Sequence, residues 1–249
     1  MKLNWAEYGL EAFGLGLFMV SAATFGVVLF HPASAVVQGI PHPLARRALM
    51  GLAMGLTALL NIYSPWGRRS GAHLNPATTL TFWTLGKVAA HDAVGYVGGQ
   101  MIGGTVGMLL ATSVLGRWIG DPAVNYVATV PGVGGGGAAF VAEILISFGL
   151  MFVVLTMIAH QRAAKFTGLA VATLIVVYIT FEAPISGMSM NPARSLASAV
   201  PSGITTGLWI YCTAPFIGML GAARLRRHLA NRHCAKFIHD DRDRCIFCG

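Results

Sequence analysis

The sequence predicts an all-helical membrane protein with six transmembrane helices and two re-entrant half-helices, and three observations lead to that class. Of the 249 residues, 55% are hydrophobic and only 10% are charged, whereas a soluble domain carries about 25% charged residues. Six apolar segments have about the length of a membrane-spanning helix. A short motif occurs twice, and each copy precedes an apolar run that is too short to cross a bilayer.

The six apolar segments are spaced so that three fall in each half of the chain. Pro65 and Pro184 come directly after the second and fifth segments, and we expect these prolines to end the two helices. The first segment begins beside Glu7 and has no small-residue cleavage pattern, so we expect a spanning helix and not a signal peptide. The predicted spans lie at about 8–30, 46–63, 93–115, 138–159, 166–183 and 204–223.

The repeated motif reads Ser-Gly-x-x-x-Asn-Pro-Ala and occupies residues 70–77 and 186–193. Asparagine is a good helix N-cap, and proline fits the first helical position, where an N–H would have no partner in any case. We therefore predict that each copy is a re-entrant loop followed by a half-helix. The helix starts are Asn75-Pro76-Ala77 and Asn191-Pro192-Ala193.

The chain is an internal repeat in which each half holds three spans and one copy of the motif. An odd number of spans per half inverts the second half relative to the first. We predict a membrane domain over residues 1–228 and a separate tail over 229–249. Within the domain, the inverted halves lie at about 5–115 and 138–228, joined by an outer linker at 116–137.

The positive charges predict the orientation, because cytoplasmic loops carry an excess of Lys and Arg. Both termini are predicted to be cytoplasmic, in a cell membrane. The outer side then holds only Arg46, Arg47 and Arg117, while the inner side holds Arg68, Arg69, Lys87, Arg162, Lys165 and the basic C-terminal segment. This topology accounts for the net charge of +8, so nucleic acid is not a predicted partner.

The two Asn-Pro-Ala motifs, each placed after the second span of its half, resemble those of the aquaporins, the major intrinsic protein family. The resemblance covers roughly residues 5 to 228 and excludes the tail. It implies a homotetramer in the lipid bilayer, with one pore per subunit. It also implies passive conduction of water, with small neutral solutes as a further option, while protons and ions are excluded. No enzyme activity is expected, since no nucleophile–base set, phosphate loop or cofactor motif is visible.

In an inverted repeat the two half-helices meet tip to tip in the middle of the membrane. Each helix N-terminus carries roughly half a positive charge, so the two tips repel cations and protons but affect neutral molecules weakly. The resemblance places the amides of Asn75 and Asn191 on the pore, where their N–H groups can donate to a passing water molecule.

Arg194 is the basic residue that the sequence places inside the membrane-spanning core, where a charge is costly and marks function. It follows the second motif directly and matches the arginine of the family's selectivity filter. The resemblance places the other filter residues at Met188, Ile179 and Gly55, with Met54 or Gly51 replacing Gly55 if the loop at 64–69 carries an insertion.

The predicted filter leaves the solute open. The positions around Arg194 carry neither the aromatic residue nor the histidine of strict water channels, so a glycerol or small-solute facilitator is the alternative. Ser195 and Ala199, however, stand where glycerol-conducting members carry an aspartate and a basic residue. On balance, the sequence favours water.

Four further residues are expected to support the re-entrant loops. Glu11 and Glu143 occupy equivalent places in the two halves, and a carboxylate inside a spanning helix must be hydrogen-bonded or paired. The resemblance implies that the two glutamates hold the loops through backbone N–H groups, and that His73 and Gln100 brace them. A proton relay through the glutamates is the alternative.

The tail contains a Cys/His pattern that is not part of the resemblance. Cys234, His239, Cys245 and Cys248 are candidate zinc ligands, and no other cofactor is expected. Two alternatives remain, namely a basic thiol-bearing tail along the membrane surface and a redox switch. The tail therefore raises a different function class, a metal- or redox-sensing membrane protein. An ion-coupled transporter is a further alternative, because such proteins also use inverted repeats and broken helices.

Overall fold

The structure of the protein is a computed structural model, and it describes residues 3–226, 234–239 and 245–248. All regular structure in these residues is helical. The predicted boundary between membrane domain and tail, at residues 228 and 229, lies outside them.

The chain forms long helices connected by short ones. Two turns of 3-10 helix, Gly116–Trp118 and Asn125–Val127, lie in the linker. The α-helices of the described residues are α1 Trp5–Phe30, α2 Ala35–Gly39, α3 Pro43–Tyr63, α4 Pro65–Ser70, α5 Pro76–Thr84, α6 Ala90–Leu115, α7 Gly135–Ile158, α8 Gln161–Ala164, α9 Thr167–Phe181, α10 Ala183–Ser186, α11 Pro192–Ser202 and α12 Leu208–Leu225.

The six predicted spans are confirmed as α1, α3, α6, α7, α9 and α12. Five of them are long and apolar enough to cross a membrane, whereas α9 has only 15 residues and is about 22 Å long. The short helix α10 follows α9 after one intervening residue, Glu182, and carries the chain onward. The second span ends at Tyr63, just before Pro65, and the fifth ends at Phe181, just before Pro184.

The half-helices begin at the two motifs. Asn75 caps α5 and Asn191 caps α11, and a proline occupies the first turn of each helix. With nine and eleven residues, neither helix can cross a bilayer. We call the face where α1 begins and α12 ends the tail side, and the opposite face the far side. The first loop enters from the tail side and the second from the far side.

The spans pack in pairs that repeat between the halves. Helix α1 packs against α6, and α7 packs against α12. Glycines allow this close approach, since a Cβ on Gly103 would lie 2.0 Å from the carbonyl oxygen of Ala12, and one on Gly218 would lie 2.3 Å from that of Ile144. Small residues at such contacts are typical of membrane helices. The two pairs surround the motif loops and hold them at the centre.

Candidate functional site

A cavity of about 470 Å³ lies at the centre of the bundle, between the two motif loops. The proline and alanine of each motif are buried in the first turn of their half-helix. Of the residues predicted as functional in the membrane domain, Asn75, Asn191, Arg194, Met188, Ile179 and His73 line the cavity, whereas Gly55, Glu11, Glu143 and Gln100 do not.

The two motif asparagines are bonded to each other's loops. The Asn75 Oδ1 atom accepts a hydrogen bond from the backbone N–H of Ala77 (2.9 Å), while its Nδ2 donates to the carbonyl of Met190 (2.7 Å). In return, Asn191 Nδ2 donates to the carbonyl of Leu74 (2.7 Å). A side-chain amide has two N–H groups, so each asparagine keeps one donor beyond this crossed bond. Sequence reasoning did not anticipate the crossed bonds, which lock the helix tips together.

Glu11 supports the first loop from α1. Its carboxylate accepts hydrogen bonds from the Ser70 hydroxyl (2.7 Å) and from the backbone N–H groups of His73 (3.1 Å) and Leu74 (2.6 Å). Gln100 Nε2 on α6 donates a fourth bond, at 2.7 Å. Glu11 is fully buried, and these donors compensate the burial of its charge.

Glu143 supports the second loop from α7 in the same way. It accepts bonds from the Ser186 hydroxyl and from the backbone N–H groups of Ser189 and Met190, each at 2.7 Å. The donors occupy the same motif positions as those of Glu11, so the inverted repeat extends to individual hydrogen bonds.

Both loops have an unusual backbone that this support maintains. Ala72 and Leu74 in the first loop have φ angles of +55° and +48°, and Met188 and Met190 in the second have +50° and +54°. Such left-handed residues cost roughly 1–2 kcal/mol each. Glu11 and Glu143 accept hydrogen bonds from residues in or beside these turns, which explains how the loops keep this shape.

Two guanidinium groups line the cavity. Arg194 lies in the first turn of α11, and its Nη1 atom has no hydrogen-bond partner in the described part of the chain. Arg47, near the start of α3, lines the cavity towards the far side, and its Nε donates to the carbonyl of Thr180 (3.1 Å). The sequence predicted Arg47 on the outer side and Arg194 at the filter, so the position of Arg47 at the cavity was not anticipated.

Residues 5–225 match the sequence profile of the major intrinsic protein family. The chain belongs to the major intrinsic protein family. It is therefore a multi-pass membrane protein, and its family is one of channels and not of enzymes. The matched residues include both motifs and the whole described bundle, but they exclude the Cys/His tail.

Individual relatives agree with the family assignment. Aquaporin NIP1-1 of Zea mays is 34% identical over 220 residues, which cover 88% of this chain and 70% of the relative. Probable aquaporin NIP4-2 of Arabidopsis thaliana is 39% identical over 166 residues, which cover 66% of this chain but only 56% of the relative. The aquaglyceroporin of Plasmodium falciparum has the same fold, with a TM-score of 0.70 at 19% identity, over 91% of this chain and 98% of that one.

The structure corrects the predicted cavity residue on α3. Gly55 faces the neighbouring span α9, because a Cβ there would lie 2.9 Å from the carbonyl oxygen of Ala172. Gly51 packs against α9 in the same way, 2.7 Å from the carbonyl oxygen of Val176. Met54 lines the cavity instead. Adjacent residues on an α-helix point about 100° apart, so Met54 and Gly55 cannot both face the cavity.

Two tyrosines that sequence reasoning did not assign to the loops hold them from the third and sixth spans. The Tyr96 hydroxyl on α6 donates to the carbonyl of Ser70 at 2.6 Å, and the Tyr211 hydroxyl on α12 donates to the carbonyl of Ser186. Both tyrosines are fully buried. The sequence signal for this role was that each tyrosine follows the serine of its motif at nearly the same distance along the chain.

His73 connects the first loop to the tail. Its Nε2 lies 2.7 Å from the carbonyl oxygen of Ala235, and its Nδ1 lies 3.1 Å from the Thr79 hydroxyl. Since a carbonyl can only accept, Nε2 is the donor, and Nδ1 can accept from Thr79. Gln100 in turn donates to the Thr79 oxygen at 3.1 Å. His73 therefore braces the loop and also holds the tail.

The Cys/His residues of the tail come together in space. The Cys234 and Cys245 sulfur atoms are 3.1 Å apart, and His239 Nε2 lies 3.2 Å from the Cys248 sulfur. The four potential ligand atoms all lie within 4.8 Å of one another. A tetrahedral zinc site with Zn–S bonds of about 2.3 Å places its ligands roughly 3.5–3.8 Å apart. Three cysteines and one histidine form a common set for structural zinc, so this cluster fits that ion.

Proposed function

We propose that the protein is a passive channel that conducts water across a membrane while excluding protons and ions. One observation carries the proposal, namely the cavity between the starts of the two half-helices, lined by Asn75, Asn191 and Arg194. Each helix start contributes roughly half a positive charge, and the guanidinium adds a full one. Cations are therefore repelled, while a neutral molecule with a hydrogen-bond acceptor can pass.

Small neutral solutes such as glycerol or hydrogen peroxide belong to the same proposal. Arg194 provides donors on one side of the cavity, and Met54, Met188 and Ile179 provide apolar surface around it. Solute hydroxyl groups can then bond to the arginine while the carbons contact the apolar side chains. Methionine is flexible and can move aside for a wider molecule. The fold shared with a protein named as an aquaglyceroporin is consistent with this range.

Light scattering from proteoliposomes tests the channel function. Two proteins are compared, the full chain and a full-length variant with Phe237→Ala, which shortens a tail side chain that lines the cavity. Vesicles with at least one of the two should shrink in sucrose faster than protein-free vesicles. Vesicles preloaded with glycerol should then show solute exit for at least one of the two proteins. If folded, reconstituted protein of both kinds passes no more water than bare lipid, the proposed function is wrong.

A matched pair of substitutions on α3 tests which side chain limits solute size. Met54→Phe puts a larger, stiffer ring beside the cavity and should reduce glycerol flux much more than water flux. Gly55→Phe should instead lower the yield of folded protein, because the ring has no room against α9. If Gly55→Phe folds normally and is the variant that blocks glycerol, the assignment of these two residues is reversed.

The orientation and the assembly are also proposals. The excess of Lys and Arg on the tail side supports a cytoplasmic location for both termini. The family resemblance supports a homotetramer with a pore in each subunit. Protease accessibility of the tail in inside-out and right-side-out membrane vesicles tests the orientation, and the mass of the detergent-solubilised protein tests the assembly.

We propose in addition that Cys234, His239, Cys245 and Cys248 bind one zinc ion with a structural role. The convergence of their ligand atoms within 4.8 Å supports it. Elemental analysis of the purified full chain should find about one zinc per chain, and Cys245→Ser should remove it. Cys212→Ser is the matched control, since Cys212 lies in α12, outside the cluster.

A further inference from the structure

The tail lies at the tail-side end of the cavity. We call its described residues, 234–239 and 245–248, the tail cap. Phe237 lines the cavity together with the loop residues Ala72 and His73. Phe237 is 5% exposed and its neighbour Ile238 is 8% exposed. Side chains of the tail are therefore buried against the bundle, at the tail-side mouth of the proposed pore.

Backbone hydrogen bonds attach the tail cap to the first motif loop. The Phe237 N–H donates to the carbonyl of Gly71 at 3.2 Å, and the carbonyl of Ala235 accepts from His73 Nε2 at 2.7 Å. Gly71 has a φ of +102°, and a Cβ there would lie 3.2 Å from both Lys236 Cγ and Phe247 Cε2. The loop that carries Asn75 is thus in direct contact with the tail cap.

Aromatic rings add a second attachment. Phe247 stacks on the His73 ring, with centroids 5.6 Å apart and planes at 8°, and it meets Tyr96 edge-on at 5.8 Å. Tyr96 itself holds the first loop through Ser70. Stacked and edge-on ring pairs contribute about 0.5–1.5 kcal/mol each beyond the area they bury. Phe237 and Phe247 are therefore the two anchors of the tail cap.

The Cys/His cluster brackets both anchors in the sequence. Phe237 lies between Cys234 and His239 in the sequence, and Phe247 lies between Cys245 and Cys248. The described residues of the tail cap contain neither helix nor strand. So few residues cannot form a stable core of their own, and metal binding supplies the folding free energy of such small units. A metal ion at the cluster would hold the two anchor segments together in the docked geometry.

We infer that the tail cap closes the tail-side mouth of the pore when the Cys/His cluster holds zinc, and that loss of the metal opens it. The inference rests on the proposed channel function. The Phe237 side chain fills the mouth, and the hydrogen bonds to Gly71 and His73 hold the tail cap there. The metal fixes the positions of Phe237 and Phe247 relative to each other. Once the metal leaves, the cap segments lose the constraint that preorganises them, and the mouth becomes accessible to water.

Water flux with and without metal tests the closure. Proteoliposomes of the zinc-loaded full chain should shrink slowly in sucrose, and a membrane-permeant chelator should raise the rate at least several-fold. Added zinc should restore the slow rate. A permeant chelator reaches the tail cap whichever way the protein inserts into the vesicles. Equal rates with and without zinc, in vesicles that conduct water well, would overturn the inference.

Three full-length variants distinguish the effect of the metal from that of the Phe237 side chain, which we call the plug. Cys245→Ser should lack zinc and conduct fast without chelator. Phe237→Ala should keep its zinc and also conduct fast, because the plug is missing while the cluster is intact. Cys212→Ser should keep both the zinc and the slow, chelator-sensitive flux. If Phe237→Ala stays as slow as the zinc-loaded wild type while chelation accelerates the wild type, Phe237 is not the plug and the inference fails as stated.

Hydrogen exchange gives a readout that does not depend on flux. The Phe237 N–H should be protected in the zinc-loaded protein and lose protection on chelation, because its bond to Gly71 breaks. Absence of bound zinc in the wild-type protein, or protection that ignores the chelator, overturns the metal-held closure. Failure of every variant to conduct water would instead contradict the channel function, so the two failures are distinguishable.

Discussion

Replacing Arg194 by valine is expected to preserve water permeation and to admit protons or small cations. Arg194 lines the cavity and carries a full positive charge, so we expect that charge to act directly on the pore. The change removes a full positive charge, while the two helix starts keep only about half a charge each. A pH-sensitive dye inside proteoliposomes should therefore report faster acidification after an imposed pH step.

Arg47 provides an informative comparison for this experiment. Arg47→Val also removes a cavity-lining guanidinium, but from the far side, where water and salt screen charges over about 8–10 Å. We expect a smaller rise in proton flux than for Arg194→Val, and none for the exposed Arg117→Val. Each variant should be made alone and together with Phe237→Ala, so that the tail cap cannot hide a leak. Unchanged proton exclusion in the Arg194→Val, Phe237→Ala double variant would contradict a barrier role.

Replacing Glu143 by leucine is expected to reduce the yield and thermal stability of the protein more than its conduction per folded molecule. The change leaves the Ser186 hydroxyl and the backbone N–H groups of Ser189 and Met190 without their acceptor. Each buried, unpaired donor costs about 1–3 kcal/mol. The strained second loop should then unfold at a lower temperature, as measured by size-exclusion chromatography of heated, detergent-solubilised protein.

Glutamine at the same position is the matched control. Glu143→Gln keeps one acceptor oxygen for part of this donor set, so its loss of stability should be intermediate. Glu11→Leu should show at least as large an effect, because Glu11 accepts four bonds where Glu143 accepts three. If the Glu143→Leu protein is made and folds normally but conducts nothing, Glu143 takes part in conduction and not only in loop support. The proton-relay alternative requires that result.

The features that the sequence determined by itself depend on local chemistry or on composition. Six apolar segments identify the spans, because the hydrocarbon of a bilayer requires about 20 apolar residues per helix. Asn75-Pro76 and Asn191-Pro192 predict two helix starts, because capping involves only neighbouring residues. The inversion of the second half relative to the first follows from the count of three spans in each half. Only α9 departs from the expected length, and α10 extends it after a single residue.

Other features depended on distances between residues far apart in the chain, and the tertiary structure alone decided them. Whether Met54 or Gly55 faces the cavity depended on how α3 packs against α9. Arg47 reaches the cavity because α3 begins at Pro43, close enough to the far-side mouth.

In the tail, too, some features follow from the sequence and others only from the tertiary structure. Its composition predicted a candidate metal cluster, because cysteine and histidine are recognisable as ligands in any order. Nothing in the tail sequence predicted that Phe237 would lie at the cavity, or that Ala235 would bond to His73 across 162 positions of sequence. Docking of this kind depends on the shape and the unfilled donors of the surface that receives it. That surface exists only after the inverted repeat has closed around the two motif loops.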